Sequence, residues 1–296
     1  LNAMRVALAV FLLLAIAPFA GLGAGHHMTV LAHGMIMGIA ALGLWLLVGG
    51  AGLVSLGHAA LLGIGAYAVV VLDHLGITEL AIVLPAALAA AAIFAGITGA
   101  IALRTTGVNF IMITLAFGQM AFFGASSLAV YGGDDGYTLY GRTRFLGTPW
   151  LADRLVFHFL CLAALLGAFL VVRVMLASRF GRVLRAAREN PARTEALGFE
   201  PYPYRLGASV VAGMLASLAG VLLANANEFV APSYLAWQRS GDLLFMVILG
   251  GLGGPEGAIL GALVLVLAEE WLGTLTEHWR LILGPLIIAA ALFLPR

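Results

Sequence analysis

The sequence predicts an all-α integral membrane protein, a polytopic helical bundle of about 8–10 spans with two glycine-rich broken helices. Of its 296 residues 62% are hydrophobic and only 10% are charged, whereas soluble domains carry about 25% charged residues. The apolar runs have the length of membrane-crossing helices, about 20 residues, rather than that of barrel strands. Residues 1–296 are therefore predicted to form a single membrane domain.

The charge and cysteine content exclude several classes of function. A formal net charge of +1 gives no indication of nucleic-acid binding, and no nucleic acid is expected as a partner. Cys161, the single cysteine, lies inside an apolar run, so neither a disulfide framework nor a thiolate metal site is expected. The sequence contains no P-loop and no HExxH zinc motif. We expect the chain to be no enzyme and to bind no metal or cofactor of its own.

The helices are predicted in chain order from the apolar runs. The spans are residues 5–24, 29–48, 59–72, 80–103, 109–130, 155–176, 206–227, 243–252, 258–275 and 281–294. We interpret residues 5–24 as the first helix rather than as a signal peptide, because another apolar run follows at once. The longest polar loops are residues 131–154, which contain GGDDGY, and residues 228–242.

One segment concentrates the positive charge and predicts the topology. Its arginines are Arg173, Arg179, Arg182, Arg185, Arg188, Arg193 and Arg205. Arginine-rich connections between spans stay in the cytoplasm, which places the N-terminus inside and loop 131–154 outside. If the glycine-rich break near residue 251 is re-entrant, Arg296 lies inside; if the break is a kink, Arg296 lies outside. We favour the inside.

Two glycine-rich segments, residues 49–67 and 249–262, interrupt the apolar runs, one in each half of the chain. Non-helical backbone at membrane depth is tolerated only beside protein or a water-filled cavity. Paired interruptions indicate a translocation pathway between repeats, although glycines also allow close helix packing. The predicted pathway residues are Ser55, Gly57, His58, Gly63, Tyr67, Asn109, Thr114, Gln119, Gly251 and Gly254.

Alternatives remain open for the polar members of this set. Ser55 is suited to cap a helix that begins near Leu56. His58 either lines the route or hydrogen-bonds a neighbouring carbonyl. The polar residues of the fifth run face either the pathway or another helix.

Two further patterns favour ordinary structural roles. Ala212, Ala216 and Gly220 form a ridge of small residues at a spacing of four, which is typical of helix packing. Glu269 and Glu270 lie beside a tryptophan, so we interpret them as solvated anchors at the membrane interface rather than as buried functional acids.

Five segments carry a family resemblance. They are SLGHAALLGIGAY (55–67), LRTTGVNFIMITLAFGQM (103–120), GGDDGY (132–137), GRVLRAARENPARTEALGFEPYPYR (181–205) and VILGGLGGPEGAILGALVL (247–265). Together they resemble the LivM/LivH-type permeases of branched-chain amino acid ABC transporters, and the loop order is more similar to LivM. The sequence departs from that pattern at Gln119, where an acidic residue is common, and in the two aspartates of GGDDGY.

The resemblance implies the transmembrane domain of an ABC importer in the bacterial cytoplasmic (inner) membrane. In the arginine-rich segment Pro191 suits the first turn of a short helix and Gly198 its end. The resemblance implies a cytoplasmic coupling segment, residues 177–204, in which the short helix around Glu195–Gly198 would insert into an ATPase subunit. Its contact residues would be Arg188, Glu189, Asn190, Pro191, Glu195, Ala196, Leu197 and Gly198. The partners would be a second homologous permease, two ATPases that bind ATP and Mg²⁺, and a periplasmic binding protein that meets loops 131–154 and 228–242.

The resemblance implies branched-chain or other hydrophobic amino acids as the solute, with urea, short amides or aromatic acids as alternatives in the same architecture. An ATPase-independent secondary transporter is a different class, and it would need buried acids for ion coupling, which the central runs almost lack. An intramembrane enzyme built on Ser55 and His58 is the least favoured hypothesis.

Overall fold

A computed structural model describes residues 2–19, 25–145, 147–275, 281, 284 and 285, and helices dominate it. The helices are α1 Asn2–Ile16, α2 Gly25–Trp45, α3 His58–His74, α4 Leu80–Ala102, α5 Val108–Ser127, α6 Arg154–Ala177, α7 Arg179–Glu189, α8 Pro191–Ala196, α9 Pro201–Asn227, α10 Trp237–Gly250 and α11 Pro255–Leu275. A π-helical turn, Leu46–Ala51, continues α2. Two short strands, β1 Tyr137–Thr138 and β2 Phe229–Val230, pair antiparallel.

Within the described ranges, six helices are long and apolar enough to cross a membrane. They are Gly25–Ala51, Leu80–Ala102, Val108–Ser127, Arg154–Ala177, Pro201–Asn227 and Pro255–Leu275. Two shorter apolar helices, Arg5–Ile16 and His58–His74, add to them. The prediction of a polytopic helical membrane protein is confirmed. The predicted last span, residues 281–294, lies outside the described residues apart from 281, 284 and 285.

Small residues let the central helices approach closely. The ridge of Ala212, Ala216 and Gly220 on α9 is buried, as the spacing of four predicts. A Cβ added at Gly220 would collide with the carbonyl oxygen of Leu62 in α3. A Cβ added at Gly43 of α2 would lie 2.7 Å from the carbonyl oxygen of Ala212. The ridge is therefore a packing surface for α2 and α3.

Helices α10 and α11 form an antiparallel hairpin around the second glycine-rich break. A Cβ added at Gly250 would collide with the backbone of Gly257, and one added at Gly261 would collide with the carbonyl of Met246. The chain therefore reverses at residues 251–254, which is the re-entrant alternative. The side of the membrane on which Arg296 lies stays a prediction, since that residue is outside the described ranges.

The bundle has two distinct ends. We call the end that carries α7 and α8 the arginine end, and the end that carries residues 128–145, 147–153 and 228–236 the loop end. Helix α6 runs from the loop end to the arginine end, and α9 returns to the loop end. At the loop end the ladder between Tyr137 and Val230 joins the two predicted polar loops.

Candidate functional site

The first glycine-rich break is real but shorter than predicted. The π-helical turn Leu46–Ala51 ends at Gly52, which has a left-handed φ of 70° that favours glycine. Residues 52–57 are non-helical, and α3 begins at His58. Residues 58–67 are thus regular helix rather than part of the break, because the alanines, leucines and glycines there pack against α9 without losing their backbone hydrogen bonds.

Three predicted pathway residues meet at this break. The hydroxyl oxygen of Ser55 accepts a hydrogen bond from the backbone N–H of Gly57 at 3.3 Å. A Cβ added at Gly57 would collide with the carbonyl oxygen of Thr114 on α5. The Thr114 hydroxyl donates to the carbonyl of Ile111, one turn earlier in its own helix. The break therefore packs tightly on α5.

The start of α3 is capped from a distant part of the chain. The hydroxyl oxygen of Ser240, in α10, accepts from the N–H of Ala59 at 2.9 Å, and Ser240 is fully buried. The prediction that Ser55 caps a helix from near Leu56 is wrong, because the helix begins two residues later and Ser240 takes that role. No local sequence signal pairs Ser240 with α3.

The sequence left two roles open for His58, lining the route or hydrogen-bonding a neighbouring carbonyl, and the structure shows the second contact. Its side chain is fully buried, and its Nε2 lies 3.3 Å from the carbonyl oxygen of Ala40 in α2. Its Nδ1 has no hydrogen-bond partner among the described residues. His58 is thus not bonded to Ser55, a contact that an enzyme built on this pair would need.

Gly63 and Tyr67 both lie on buried positions of α3. A Cβ added at Gly63 would collide with the side chain of Leu235, so this glycine admits the segment that precedes α10. Tyr67 is 8% exposed, and its buried hydroxyl has no partner within the described part of the chain. Buried polar groups in proteins almost always have a hydrogen-bond partner, so packing alone does not account for the Tyr67 hydroxyl.

Helix α5 is the least covered of the six long apolar helices. Only 17% of its most apolar stretch of 18 residues is buried within the described structure. Asn109 is exposed in its first turn. Gln119 is half-buried, and its amide nitrogen has no partner among the described residues. The uncovered face also carries Met112 and Met120, which are 61% and 67% exposed. Whether these polar residues line a pathway or contact another helix, they require water or a further protein surface on this face.

The second break consists of residues 251–254. Gly251 has a φ of 85° and a ψ of 152°, a conformation almost confined to glycine. A Cβ added at Gly254 would lie against the side chain of Glu256. The structure does not bring Gly251 and Gly254 into contact with the first break; they form the tip of the hairpin instead.

A cavity of about 890 Å³ opens at the loop end. Charged and aromatic side chains line it together: Asp134, Arg239, Asp242, Glu269, Phe122 and Phe245. None of these six residues was predicted from the sequence to belong to a site. Arg239 and Asp242 are three residues apart and so share a helix face; a polar face at the start of an apolar helix was the available signal.

The loop end is held by polar contacts. The Oδ1 atom of Asn225 accepts from the backbone N–H of Thr143 at 2.7 Å and from its hydroxyl at 2.9 Å. The guanidinium of Arg142 lies 3.4 Å from a carboxylate oxygen of Glu228 and stacks over the ring of Phe157 at 4.5 Å. These contacts make the two loops one platform.

Tyr137 ties this platform to the last turn of α3. Its hydroxyl donates to Oδ2 of Asp73 at 3.4 Å. Desolvation and the nearby Asp73 carboxylate raise the pKa of Tyr137 above its ordinary value of 10.0, because both disfavour the phenolate. The tyrosine therefore stays a neutral hydrogen-bond donor at physiological pH.

At the arginine end, α8 begins at Pro191 as the sequence predicts and ends two residues before Gly198. The Oδ1 atom of Asn190 accepts from the N–H of Arg193 at 3.0 Å, and Pro191 occupies the first turn. Gly198 follows the helix with a left-handed φ of 85°. The helix is Pro191–Ala196, so the predicted span Glu195–Gly198 is instead its last turn and the residues after it.

The outer surface of this tip is apolar as well as charged. Leu197 is 69% exposed and Phe199 is 46% exposed, and both lie just after α8. Glu189, Glu195 and Ala196 are also exposed, whereas the neighbouring Thr194 is buried. Arg188 is exposed too, but it differs from the other predicted coupling residues because its side chain contacts the π-helical turn that continues α2.

Comparison with known proteins identifies relatives along most of the chain. The family described as the permease component of the branched-chain amino acid transport system matches residues 27–291. The high-affinity branched-chain amino acid transport system permease protein LivM of Escherichia coli K12 is 30% identical over 286 residues, covering 88% of this chain and 67% of the relative. The LivM protein of Salmonella typhimurium is 29% identical with the same coverage.

Another relative matches a shorter part of the chain. The probable branched-chain amino acid transport permease protein LivH of Methanocaldococcus jannaschii is 30% identical over 117 residues, which are 38% of this chain and 34% of the relative. No solved structure matches the chain.

Proposed function

The chain belongs to the family of branched-chain amino acid transport system permease components, and we propose that it is the membrane-spanning permease subunit of an ATP-driven importer for branched-chain amino acids. The family consists of transporters rather than catalytic enzymes. One observation supports the ATP-driven mechanism most directly, namely the exposed apolar tip formed by Leu197 and Phe199 next to α8.

The proposed orientation has the arginine end in the cytoplasm and the loop end in the periplasm of a bacterial inner membrane. Arginine-rich connections are retained on the cytoplasmic side. Nε2 of His158, near the start of α6, lies 3.0 Å from the carbonyl oxygen of Leu14, so the end of α1 sits at the loop end. The beginning of α1, with Arg5, then points to the cytoplasm.

In this orientation α8 is the helix of this chain that docks into an ATPase subunit and couples to it. An apolar pair surrounded by charged residues is typical of the centre of a protein–protein contact. ATP and Mg²⁺ would be bound by two ATPase subunits and not by this chain, which needs no cofactor of its own. ATP-driven closure of those subunits would displace α8 as a rigid element and rock the spans.

The open face of α5 supports a second permease subunit as partner. Polar residues at membrane depth face protein or water rather than lipid. Gln119 and Asn109 lie on a helix that this chain leaves largely uncovered. We therefore place a homologous permease along α5, with the translocation route between the two subunits and lipid around the pair.

The loop-end cavity fits an amino acid with an apolar side chain. A volume of about 890 Å³ lies within the usual range of small-molecule sites. Arg239 suits a carboxylate, the acidic residues suit an ammonium group, and Phe122 and Phe245 suit a branched aliphatic side chain. A periplasmic binding protein resting on the loop platform would release its solute here.

The test is uptake of radiolabelled leucine by proteoliposomes that contain this chain with its partner permease, both ATPases and the loaded binding protein. A Leu197→Asp variant is expected to lose ATPase co-purification and ATP-dependent uptake. Leu75→Asp is the matched control, because Leu75 is 63% exposed at the opposite end of the bundle. This control is expected to retain the ATPase.

The outcomes separate the alternatives. Leucine uptake by this chain without any ATPase would establish a secondary transporter and overturn the proposal. Stimulation of ATP hydrolysis by a binding protein loaded with urea, a short amide or an aromatic acid, without leucine uptake, would retain the importer and replace the solute.

A further inference from the structure

A single side chain joins the proposed coupling segment to the first broken helix. Arg188 is the last basic residue of α7, and its Nη1 donates a hydrogen bond to the carbonyl oxygen of Gly49, 139 residues earlier in the chain. The aliphatic stem of Arg188 covers Gly52, where an added Cβ would lie 2.9 Å from Cγ of the arginine.

The carbonyl that accepts this hydrogen bond lies in the π-helical turn that ends α2. The last carbonyl groups of a helix have no partner within the helix, and π-helical turns occur frequently at functional sites. Gly49 and Gly50 lie in the π-helical turn and are buried, with the Trp45 ring against Gly49. A guanidinium at a helix C-terminus also interacts favourably with the helix dipole. Arg188 therefore caps the end of α2 immediately before the break.

Helix α7 holds Arg188 in a fixed position. Leu184 is fully buried, and its Cδ2 lies 3.6 Å from the Cβ position of Gly50. Nη2 of Arg205, from α9, donates to the carbonyl of Ala187 at 2.9 Å. The neighbouring Arg185 differs, since it donates to the carbonyl of Leu176 at the end of α6 and does not reach the break.

We propose that Arg188 is a positioning residue, which transmits displacement of α8 to the broken segment 52–57, and is not a contact to the ATPase. The inference rests on the proposed function. Arg188 lies three residues before Pro191, the start of α8, so the two move together. The broken segment in turn packs on α5 through Gly57 and Thr114, which extends the linkage to the face assigned to the route.

The test uses the complete importer and three variants, Arg188→Ala, Arg188→Lys and the control Arg185→Ala. Three quantities are measured: co-purification of the ATPases, the rate of ATP hydrolysis, and leucine taken up per ATP hydrolysed. For Arg188→Ala we expect native co-purification and hydrolysis, with uptake per ATP reduced about tenfold, the effect of losing one charge-assisted hydrogen bond. Arg188→Lys is expected to restore part of the ratio, and Arg185→Ala to keep the native ratio.

Two results would overturn the proposal. A native ratio in Arg188→Ala would show that the contact transmits nothing. Loss of ATPase co-purification in Arg188→Ala would show that Arg188 is a docking residue after all. Failure of the proposed function is distinguishable, because the unmodified importer would then show no ATP-dependent uptake.

A second variant covers the case in which Arg188→Ala does not assemble. Gly52→Ala leaves both the arginine and the α8 tip intact, but its new Cβ meets the arginine stem at 2.9 Å and must adopt a φ of 70°. It is expected to lower uptake per ATP while the ATPases still co-purify. A native ratio in this variant would contradict the inference.

Discussion

Replacing Gly43 by alanine is expected to force apart the helices at the centre of the bundle. Gly43 lies on α2, where an added Cβ would be 2.7 Å from the carbonyl oxygen of Ala212 on α9. The same Cβ would lie 3.1 Å from Nε2 of His58, the atom that contacts the Ala40 carbonyl. A backbone carbonyl inside a helix cannot rotate away, so α9 itself has to move.

The expected cost follows from the size of that movement. Ordinary contacts begin at 3.4 Å, so the two helices must separate by about 0.7 Å. Overpacking of this kind costs about 1–3 kcal/mol, and replacing glycine by alanine within a helix returns about 1 kcal/mol. The net loss in the free energy of unfolding is about 0–2 kcal/mol, up to a factor of about 30 in the ratio of folded to unfolded protein.

The matched control is Gly167→Ala on α6, where no atom lies within 4 Å of the added Cβ. This control makes the same chemical change and is expected to be neutral or stabilising by up to about 1 kcal/mol. The measurement is unfolding of the purified protein in mixed micelles with increasing sodium dodecyl sulfate, followed by circular dichroism. Equal midpoints for the two variants would refute the close approach of α2 and α9.

Three further substitutions test the loop end and the two breaks by the same unfolding assay. Ser240→Ala removes the cap of α3 and is expected to cost about 0.5–2 kcal/mol; an unchanged midpoint would contradict the cap. Asn225→Ala leaves two donors of Thr143 without an acceptor and is expected to cost about 2–4 kcal/mol, and a loss below that of Ser240→Ala would argue against it. Gly251→Ala is expected to cost about 1–3 kcal/mol because of its backbone conformation, whereas Gly253→Ala, with no positive φ and no neighbour within 4 Å, should be neutral; equal effects would show that strain is not the cause.

Local sequence signals were sufficient wherever one segment decides its own conformation. The start of α8 at Pro191 and its termination before Gly198 follow from the fixed φ of proline and from the left-handed φ that glycine tolerates. The small-residue ridge on α9 likewise predicts a close helix contact, because only short side chains admit a second backbone. The sequence did not indicate that α2 and α3 are the partners.

Contacts between distant segments could not be predicted in this way. The glycine-rich segment 49–67 was predicted as a break and the helix within it as 59–72; α3 begins at His58, one residue before that span, and the sequence did not indicate that Ser240 of α10 supplies its cap. The family resemblance assigned Arg188 to the ATPase contact, yet the direction of its side chain depends on how α7 packs against the π-helical turn that continues α2.

The sequence by itself therefore determines a polytopic helical membrane protein, the positions of two glycine-rich breaks, an arginine-rich connection and a transporter family. These properties depend on composition and on short motifs, which the membrane and the backbone constrain directly. The tertiary structure decides which groups meet: the hairpin of α10 and α11, the loop-end cavity with Arg239, and the contact between Arg188 and Gly49. Such contacts depend on the relative rotation and register of packed helices, and no single segment encodes them.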